Sequence, residues 1–447
     1  MKKYEKYIDS GIEWIGEIPE EWNVVKLKRI AKIQTGNTPS TNNLKYWENG
    51  IVDWYTPGDF SEDTILLDSS NKKVSYIAVE EKSCRLFKRG TVLLVGIGAT
   101  LGKVGYCDKD CSANQQINAI SFDEHVLNIY GTYFLKAARN YIISMSNSST
   151  LPILNQYSTG EIEILLPPIS EQQAIADFLD NKVSLINKSI SSINVEIDNL
   201  KKYRQSLISE TVTKGLNPNV KMKDSGIEWI GEIPENWEII PLKYNLSLKG
   251  RIGWNGLKSD EFEKESYAYL VTGQDFGNDV VDWSKCYQIN KERYEEDPFI
   301  QLKNGDLLVT KDGTIGKVAK VMNLDKPACL NSGIFVVKQT GDRFVQGYLY
   351  WLFVSNQLKE FVNYYSTGST IQHLYQNVFE NMPLIIPSLS EQQAIADFLD
   401  NKTKKIDAAI ARLEQEKVMQ EKYKQSLISE AVTGKIDVRD WKPIEEQ

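Results

Sequence analysis

Residues 170–182 read SEQQAIADFLDNK, and the same thirteen residues recur at 390–402. The flanks of the first copy decide its structure. Pro167 and Pro168 end an apolar run. Ser170 with Gln173, and Ser390 with Gln393 in the second copy, have the spacing of a helix capping box. Apolar residues then recur in heptads: Leu179, Ile186, Ile193, Leu200 and Leu207 form one series, and Val183, Ile190 and Ile197 the other. A pattern sustained over four heptads predicts a coiled-coil seam. One helix over 171–213 would span about 65 Å at the usual rise per residue, and Gly215 and Pro218 end it. The second copy keeps Leu399, Ile406, Ile410, Leu413 and Leu427 but has Thr403, Lys417, Gln420 and Lys424 at other seam positions. This weaker seam is expected to pair with the first helix, antiparallel, holding two globular units at a fixed separation.

Working outward, the whole chain is written twice. DSGIEWIGEIPE stands at 9–20 and again at 224–235, and QSLISE at 205–210 and 425–430. The segments between, 21–169 and 236–389, share only fragments. GTVLLVGIGATLGKVG (90–105) matches GDLLVTKDGTIGKVA (305–319), TPGDF (56–60) matches TGQDF (272–276), and Asn114 falls opposite Asn331. Short β-branched runs such as VLLVGI, INAISF, DLLVT and GIFVVK read as strands, and 131–144 and 347–362 as amphipathic helices. The expected fold is α+β: two pseudo-symmetric mixed α/β domains, each followed by a long helix, the helices packing as an antiparallel coiled coil. The divisions fall at 1–169, 170–215, 216–389 and 390–447. Identical blocks imply one packing task or one kind of partner met twice. Divergent segments on a shared framework imply two different targets.

The 447 residues, 41% hydrophobic and 25% charged, suit a globular chain of two to four domains. No run approaches a membrane span and residues 1–16 lack a signal-peptide core, so a cytoplasmic protein is expected. The five cysteines are odd in number, and the C-x3-C of Cys107 and Cys111 is a poor zinc signature. With two histidines, His125 and His373, metal or triad chemistry is not expected. The glycine run 96–104 fails both the phosphate-loop and the dinucleotide patterns, so it reads as a tight turn between strands. The partner motif of an amino-group methyltransferase and the G-x-S-x-G of a hydrolase are both missing. The chain is expected to catalyse nothing.

SEQQAIADFLDNK ahead of a long helix, SGIEWIGEIPE-x-W before each variable segment, and the G-T-I-G-K turn (313–317) together resemble the specificity subunit of type I restriction–modification systems. The blocks occur twice in order, and the resemblance covers essentially the whole chain. It implies that each variable segment is a target recognition domain reading one half of a bipartite, asymmetric site in double-stranded DNA, with the helices setting the unread gap. It also implies recruitment of two methylation subunits, which methylate adenine, and of restriction subunits. S-adenosylmethionine and ATP with Mg would then sit on those partners, with no cofactor on this chain.

Charge is the obstacle. The net charge is −8; residues 21–169 carry 15 basic and 15 acidic side chains, and 236–389 carry 16 and 18. Phosphate attraction supplies much of ordinary DNA affinity, so these domains should bind poorly alone unless the methylation subunits share the clamp. Local patches are Lys26, Lys28, Arg29 and Lys32 in one segment, and Lys311, Lys317 and Lys320 in the other. Adenine is matched by Asn and Gln, guanine by Arg and Lys. Candidate DNA-contacting residues are therefore Gln34, Asn37 and Thr38; Asn114, Gln115 and Gln116; Arg251, Trp254 and Asn255; and Thr370, Gln372 and His373. Lys103, Lys311 and Lys317 are added as framework or phosphate contacts. Turn chemistry alone would also account for such loops. For partner binding the candidates are Glu171, Gln172, Gln173, Glu391, Gln392 and Gln393, with Trp14 and Trp229, which are alternatively core anchors. A rival reading is a scaffold that presents two protein-ligand domains and binds no DNA.

Overall fold

The computed structural model describes residues 2–146, 152–251, 257, 261–277, 279–365 and 373–443. The chain divides into two compact units: residues 1–193 with 415–447, and residues 194–414. The boundaries fall inside the two long helices, Ile169–Lys214 and Leu389–Val432.

In unit 1 a five-stranded sheet has Ala31–Thr35 at one edge, then Ile117–Phe122, Val92–Val95, Val104–Cys107 and Leu66–Leu67. Beside it Val52–Tyr55 pairs parallel with Cys111–Ala113 and antiparallel with Lys73–Val74. Unit 2 repeats the plan. Leu246–Lys249, Ile334–Gln339, Leu307–Thr310 and Val318–Lys320 form its main sheet in that order, and Ala268–Val271 pairs parallel with Ala328–Leu330. The β-branched runs picked out in the sequence are the central strands: Val92–Val95 and Leu307–Thr310 are buried throughout, and Ile117–Phe122 and Ile334–Gln339 over their first four residues.

Each expected amphipathic helix is two short ones. Unit 1 has Asn128–Ala137 and Arg139–Ser144; unit 2 has Gln346–Val354 and Asn356–Tyr365. Ser355 makes the second break. Its backbone is extended, its hydroxyl donates to the Leu352 carbonyl at 2.7 Å, and the same oxygen accepts from Gln357 N–H at 3.2 Å.

The glycine turns join strands, as expected. Gly102 and Gly316 adopt φ of +83° and +81°, where a side chain would be strained. TPGDF and TGQDF make one turn: Asp59 accepts from the Thr56 N–H and hydroxyl at 2.7 and 2.8 Å, and Asp275 does the same for Thr272 at 2.7 and 2.9 Å.

The long helices bury the heptad stripe. Leu179, Val183, Ile186, Ile193 and Ile197 are buried on the first, and Leu399, Thr403, Ile406, Ile410, Lys424 and Leu427 on the second. Capping differs from the S-x-x-Q expectation because both helices begin one residue before the serine, at Ile169 and Leu389. The residue ahead of the second helix, Ser388, accepts from Glu391 N–H, and Glu391 in turn accepts from the Ser388 N–H and hydroxyl. Gln173 and Gln393 reach forward along the helix instead, to Asp177 and Asp397, each at 2.8 Å.

Candidate nucleic-acid interface

At one end of the main sheet of unit 1, three loops are bound together by their backbones. Gly36 N–H donates to Ile117 C=O at 3.0 Å and Asn37 N–H to Ala113 C=O at 2.9 Å. Gly96 N–H donates to Gln116 C=O, and Leu154 N–H to Gly96 C=O, each at 2.8 Å. Only glycine allows the first contact: a Cβ on Gly36 would lie 2.3 Å from the carbonyl oxygens of Ala113 and Asn114. The loop at 34–40 and the triplet Asn114–Gln116 are thereby brought side by side. The exposed side chains there are Thr38, Ser40, Gln115 and Gln116, with the Thr38 hydroxyl donating to Gln115.

Unit 2 builds the same frame. The glycine comes one place earlier: in strand register Gly250 matches Thr35 and Arg251 matches Gly36, and a Cβ on Gly250 would lie 2.9 Å from the Ile334 carbonyl oxygen. Lys311 N–H donates to Gly333 C=O and Leu374 N–H to Lys311 C=O, each at 2.9 Å. The side chains are different. Ile97 bridges Ile153 in unit 1, whereas Asp312 bridges His373 in unit 2, with the His373 ring hydrogen-bonded to the Asp312 carboxylate and packed edge-on to Tyr375.

Several candidates are spent on structure. Asn37 donates to Ser83 C=O at 2.6 Å and accepts from Arg85 N–H at 2.8 Å. Asn114 is buried and closes a turn onto Gln116. Gln34 lies in the edge strand opposite Ala119. The Lys103 ammonium donates to Phe60 C=O at 3.1 Å and pairs with Glu62 at 3.4 Å. Arg251 is 1% exposed and donates to Leu330 C=O at 3.0 Å, so its guanidinium is not presented to a base in this structure. In strand register it stands where Gly36 does in unit 1. Lys317 is exposed, whereas Lys311 lies over the Phe335 ring and burial lowers its pKa. Trp254, Asn255, Thr370 and Gln372 lie outside the described residues. Of the basic patch, Lys26 and Lys28 both bind Glu161, whose carboxyl they hold down at about 2. Sequence reasoning overlooked Arg85. It is exposed, and its guanidinium donates to Thr35 C=O at the root of the 34–40 loop.

The candidate partner residues sort by burial. Gln172 and Gln392 are fully buried. Gln172 donates to His125 and Pro167 carbonyls at 2.8 and 2.9 Å and accepts from Leu127 N–H at 2.9 Å. Gln392 does the same with Arg343, Pro387 and Val345 at 2.9, 3.0 and 2.8 Å. Glu171 accepts from the Tyr4 hydroxyl and from Trp22 Nε1 at 3.1 Å; Glu391 accepts from Trp237 Nε1 at 3.2 Å. These side chains are occupied inside their own unit and are not free for a partner. Trp14 packs on Phe134 and Tyr141, and Trp229 on Phe361 and Tyr364. Gln173 and Gln393 are exposed. In unit 1, Gln173, Asp177 and Asn181 line a groove with Arg439 and Trp441.

Among the described residues, no group of three or more His, Cys, Asp or Glu is placed to hold a metal ion, and no helix is long and apolar enough to cross a membrane. Cys107 and Cys111 have sulfurs 3.0 Å apart, both buried and free.

Comparison with known proteins places the chain in a family. The specificity subunit of the type I restriction enzyme MjaVIII from Methanocaldococcus jannaschii is 25% identical over 433 residues, covering 95% of each chain. That of MjaIX from the same organism is 27% identical over 442 residues, covering 95% of this chain and 96% of the relative. The EcoR124I/EcoR124II specificity subunit of Escherichia coli is 28% identical over 218 residues, 46% of this chain and 52% of that one. In fold, a chain solved in work on complex assembly and conformational transition of the type I R-M system matches with TM-score 0.72 at 13% identity, over 93% of this chain and 98% of that one. The HsdS subunit from Thermoanaerobacter tengcongensis matches with TM-score 0.51 at 13% identity, over 94% and 98%. The family model of the type I restriction modification DNA specificity domain matches residues 19–199 and 249–416, well over half of the sequence, and the chain belongs to that family.

Proposed function

We propose that this chain is the DNA sequence-recognition subunit of a type I restriction–modification complex. One domain reads each half of a bipartite, asymmetric site, and two adenine-methylating subunits and restriction subunits assemble on the chain. The observation that carries this reading is a loop frame built twice with different tips. Thr38, Gln115 and Gln116 stand on one frame, and Asp312, His373 and Lys317 on the other. Both sets offer the donors and acceptors that base edges match. Sharing of the DNA clamp by the methylation subunits supplies the positive charge that these neutral domains lack. S-adenosylmethionine, ATP and Mg belong to those partners.

An antiparallel pairing of the long helices is supported by two contacts in unit 2, and the helices also meet in unit 1. In unit 2 Lys201 faces Glu414 and Arg204 faces Asp407; in unit 1 Asn187 faces Lys424. Each helix is continuous across the unit boundary, which supports its role as the ruler of the unread gap. The exposed Gln173 and Asp177, and Gln393 and Asp397 in the second copy, are the side chains offered to the two methylation subunits.

An adenine methylation map of the source genome, with the gene intact and deleted, tests the reading. The expected result is loss of one split, asymmetric motif on deletion. An unchanged map, in a strain where the chain co-purifies with an active methylation subunit, would overturn it. Excising one turn from both helices is expected to change the gap; a fixed gap would end the ruler idea.

A further inference from the structure

Each unit contains a three-way polar joint that neither the core nor the loop frame requires. In unit 1 the Lys424 ammonium, on the second long helix, binds the Asp63 carboxylate and donates to Asn187 Oδ1 at 2.9 Å. Asn187 is on the first long helix, and Asp63 is in the domain's own loop. In unit 2 Arg204, on the first long helix, donates through Nε and Nη2 to Asp407 at 2.8 and 3.2 Å, and through Nη2 to Asp279 at 3.5 Å. Here Asp407 is on the second helix and Asp279 is in the domain.

The three positions correspond through the repeat. Arg204 and Lys424 each directly precede QSLISE. Asn187 and Asp407 each stand five residues beyond SEQQAIADFLDNK. Asp63 and Asp279 each stand seven beyond the threonine of the T-x-x-D turn. The residue types have changed, Lys with one carboxylate and one amide against Arg with two carboxylates, but the connection has been kept. In both cases the cation is sheltered, with Lys424 and Arg204 side chains 8% and 18% exposed, and its acidic partners are open to solvent. The loops that present the acids are themselves held. The Lys136 ammonium donates to Glu62 and Thr64 carbonyls. Asp279 sits at φ +64° with its carbonyl accepting from Lys320 N–H at 2.9 Å.

A sheltered cation that ties two helices and a domain loop together fixes an angle, because its fork or ammonium satisfies its partners only in one arrangement. We infer that Lys424–Asn187–Asp63 and Arg204–Asp407–Asp279 are positioning joints: each locks a recognition domain onto the helix pair, and together they set how strictly the gap between half-sites is read. This rests on the bipartite reading proposed above. None of the six residues belongs to the loop frame assigned to DNA.

The test uses the full chain purified with its methylation subunits and duplexes carrying the mapped site with the native gap, or one base pair shorter or longer. Lys424→Met and Arg204→Met keep the side-chain stem and leave behind exposed carboxylates and, in unit 1, the half-buried Asn187 amide. The expected result is that preference for the native gap over the altered gaps falls about tenfold in each variant, equivalent to about 1.4 kcal/mol. Binding to the native-gap duplex should change less than about threefold, with gap preference rescued by Lys424→Arg and Arg204→Lys. Equal weakening on all duplexes would make the joints merely stabilising and overturn the inference, as would an undiminished gap preference. A lack of gap preference in the unchanged protein would instead overturn the bipartite reading, and the joints with it.

Discussion

The start of the first long helix and the start of the second carry the same thirteen residues and use them differently. The common part is the buried glutamine. Gln172 and Gln392 each close three hydrogen bonds between the helix, the preceding proline and the segment leading to the short helices. Tyr130 and Tyr348 likewise both donate to the closing strand, to Leu165 and Ile385 carbonyls at 3.0 Å. The divergent part is the glutamate. Glu391 caps its own helix with Ser388, while Glu171 follows Pro168, which has no hydroxyl, and is taken by Tyr4 and Trp22. Around Glu171, unit 1 adds contacts of its own: Arg439 lies over the Tyr4 ring and pairs with Asp437, which also pairs with Lys2. Corresponding residues in unit 2 are joined by the continuous chain after Lys214. The difference teaches that identity between the copies marks a shared buried task, and that a residue beside it is free to find another partner.

The largest effect is expected at the glycines that let each loop frame approach a carbonyl, which stand one register position apart in the two units. Gly36→Val drives a side chain into two carbonyl oxygens 2.3 Å from its Cβ, whereas Gly250→Val meets one carbonyl at 2.9 Å and a movable ring. Gly36→Val should abolish reading of the half-site assigned to unit 1, and Gly250→Val should weaken its counterpart by less, measured as methylation of the mapped site. Equal losses would mean that the two loop frames are not held in the way described. Next come the glutamines. Gln172→Leu and Gln392→Leu each leave one N–H and two carbonyls without their partner, a cost of about 3 kcal/mol. Chemical denaturation should return equal losses from the two variants; a disagreement beyond about 1.5 kcal/mol would break the equivalence of the two frames.

The seam, the strands and the glycine turns were legible because periodicity and turn chemistry act locally. The seam also held a signal that was passed over. Extending the heptad series back from Leu179 and Leu399 by one step lands on Gln172 and Gln392, so their burial was written in the spacing while their polarity suggested a surface role. Arg204 likewise sits one heptad beyond Ile197. What could not be read was which loop side chains stay free. Asn37 and Asn114 have the composition of base readers, yet their amides are consumed by Ser83, Arg85 and Gln116, partners up to 48 residues distant. Arg251 has the chemistry of a guanine reader and is buried against a strand that is 79 residues away. Such pairings depend on tertiary closure, which no local pattern encodes.

The smallest effect sharpens the comparison most. Ser388→Ala removes the hydroxyl from the second helix's cap and should cost unit 2 about 1 kcal/mol. The loss should also depend on pH. Burial works to raise the Glu391 pKa, but hydrogen bonds from Ser388 and Trp237 outweigh it, and the folded value lies below the ordinary 4.5. A depressed carboxyl contributes stability that is present above the unfolded value and lost as pH falls through the folded one. The melting temperatures of Ser388→Ala and the unchanged protein should therefore differ at pH 7 and converge in acid below pH 4.5. The reciprocal change, Pro168→Ser, places the hydroxyl at the first helix. Both Glu171 oxygens are already engaged, by the Tyr4 hydroxyl and the Trp22 indole, so the reciprocal half of the capping box forms only at the expense of those bonds. The gain should stay within about 0.5 kcal/mol. A full 1 kcal/mol gain would mean that Glu171 leaves Tyr4 and Trp22 at little cost, and that the two helix starts differ only by the residue at 168.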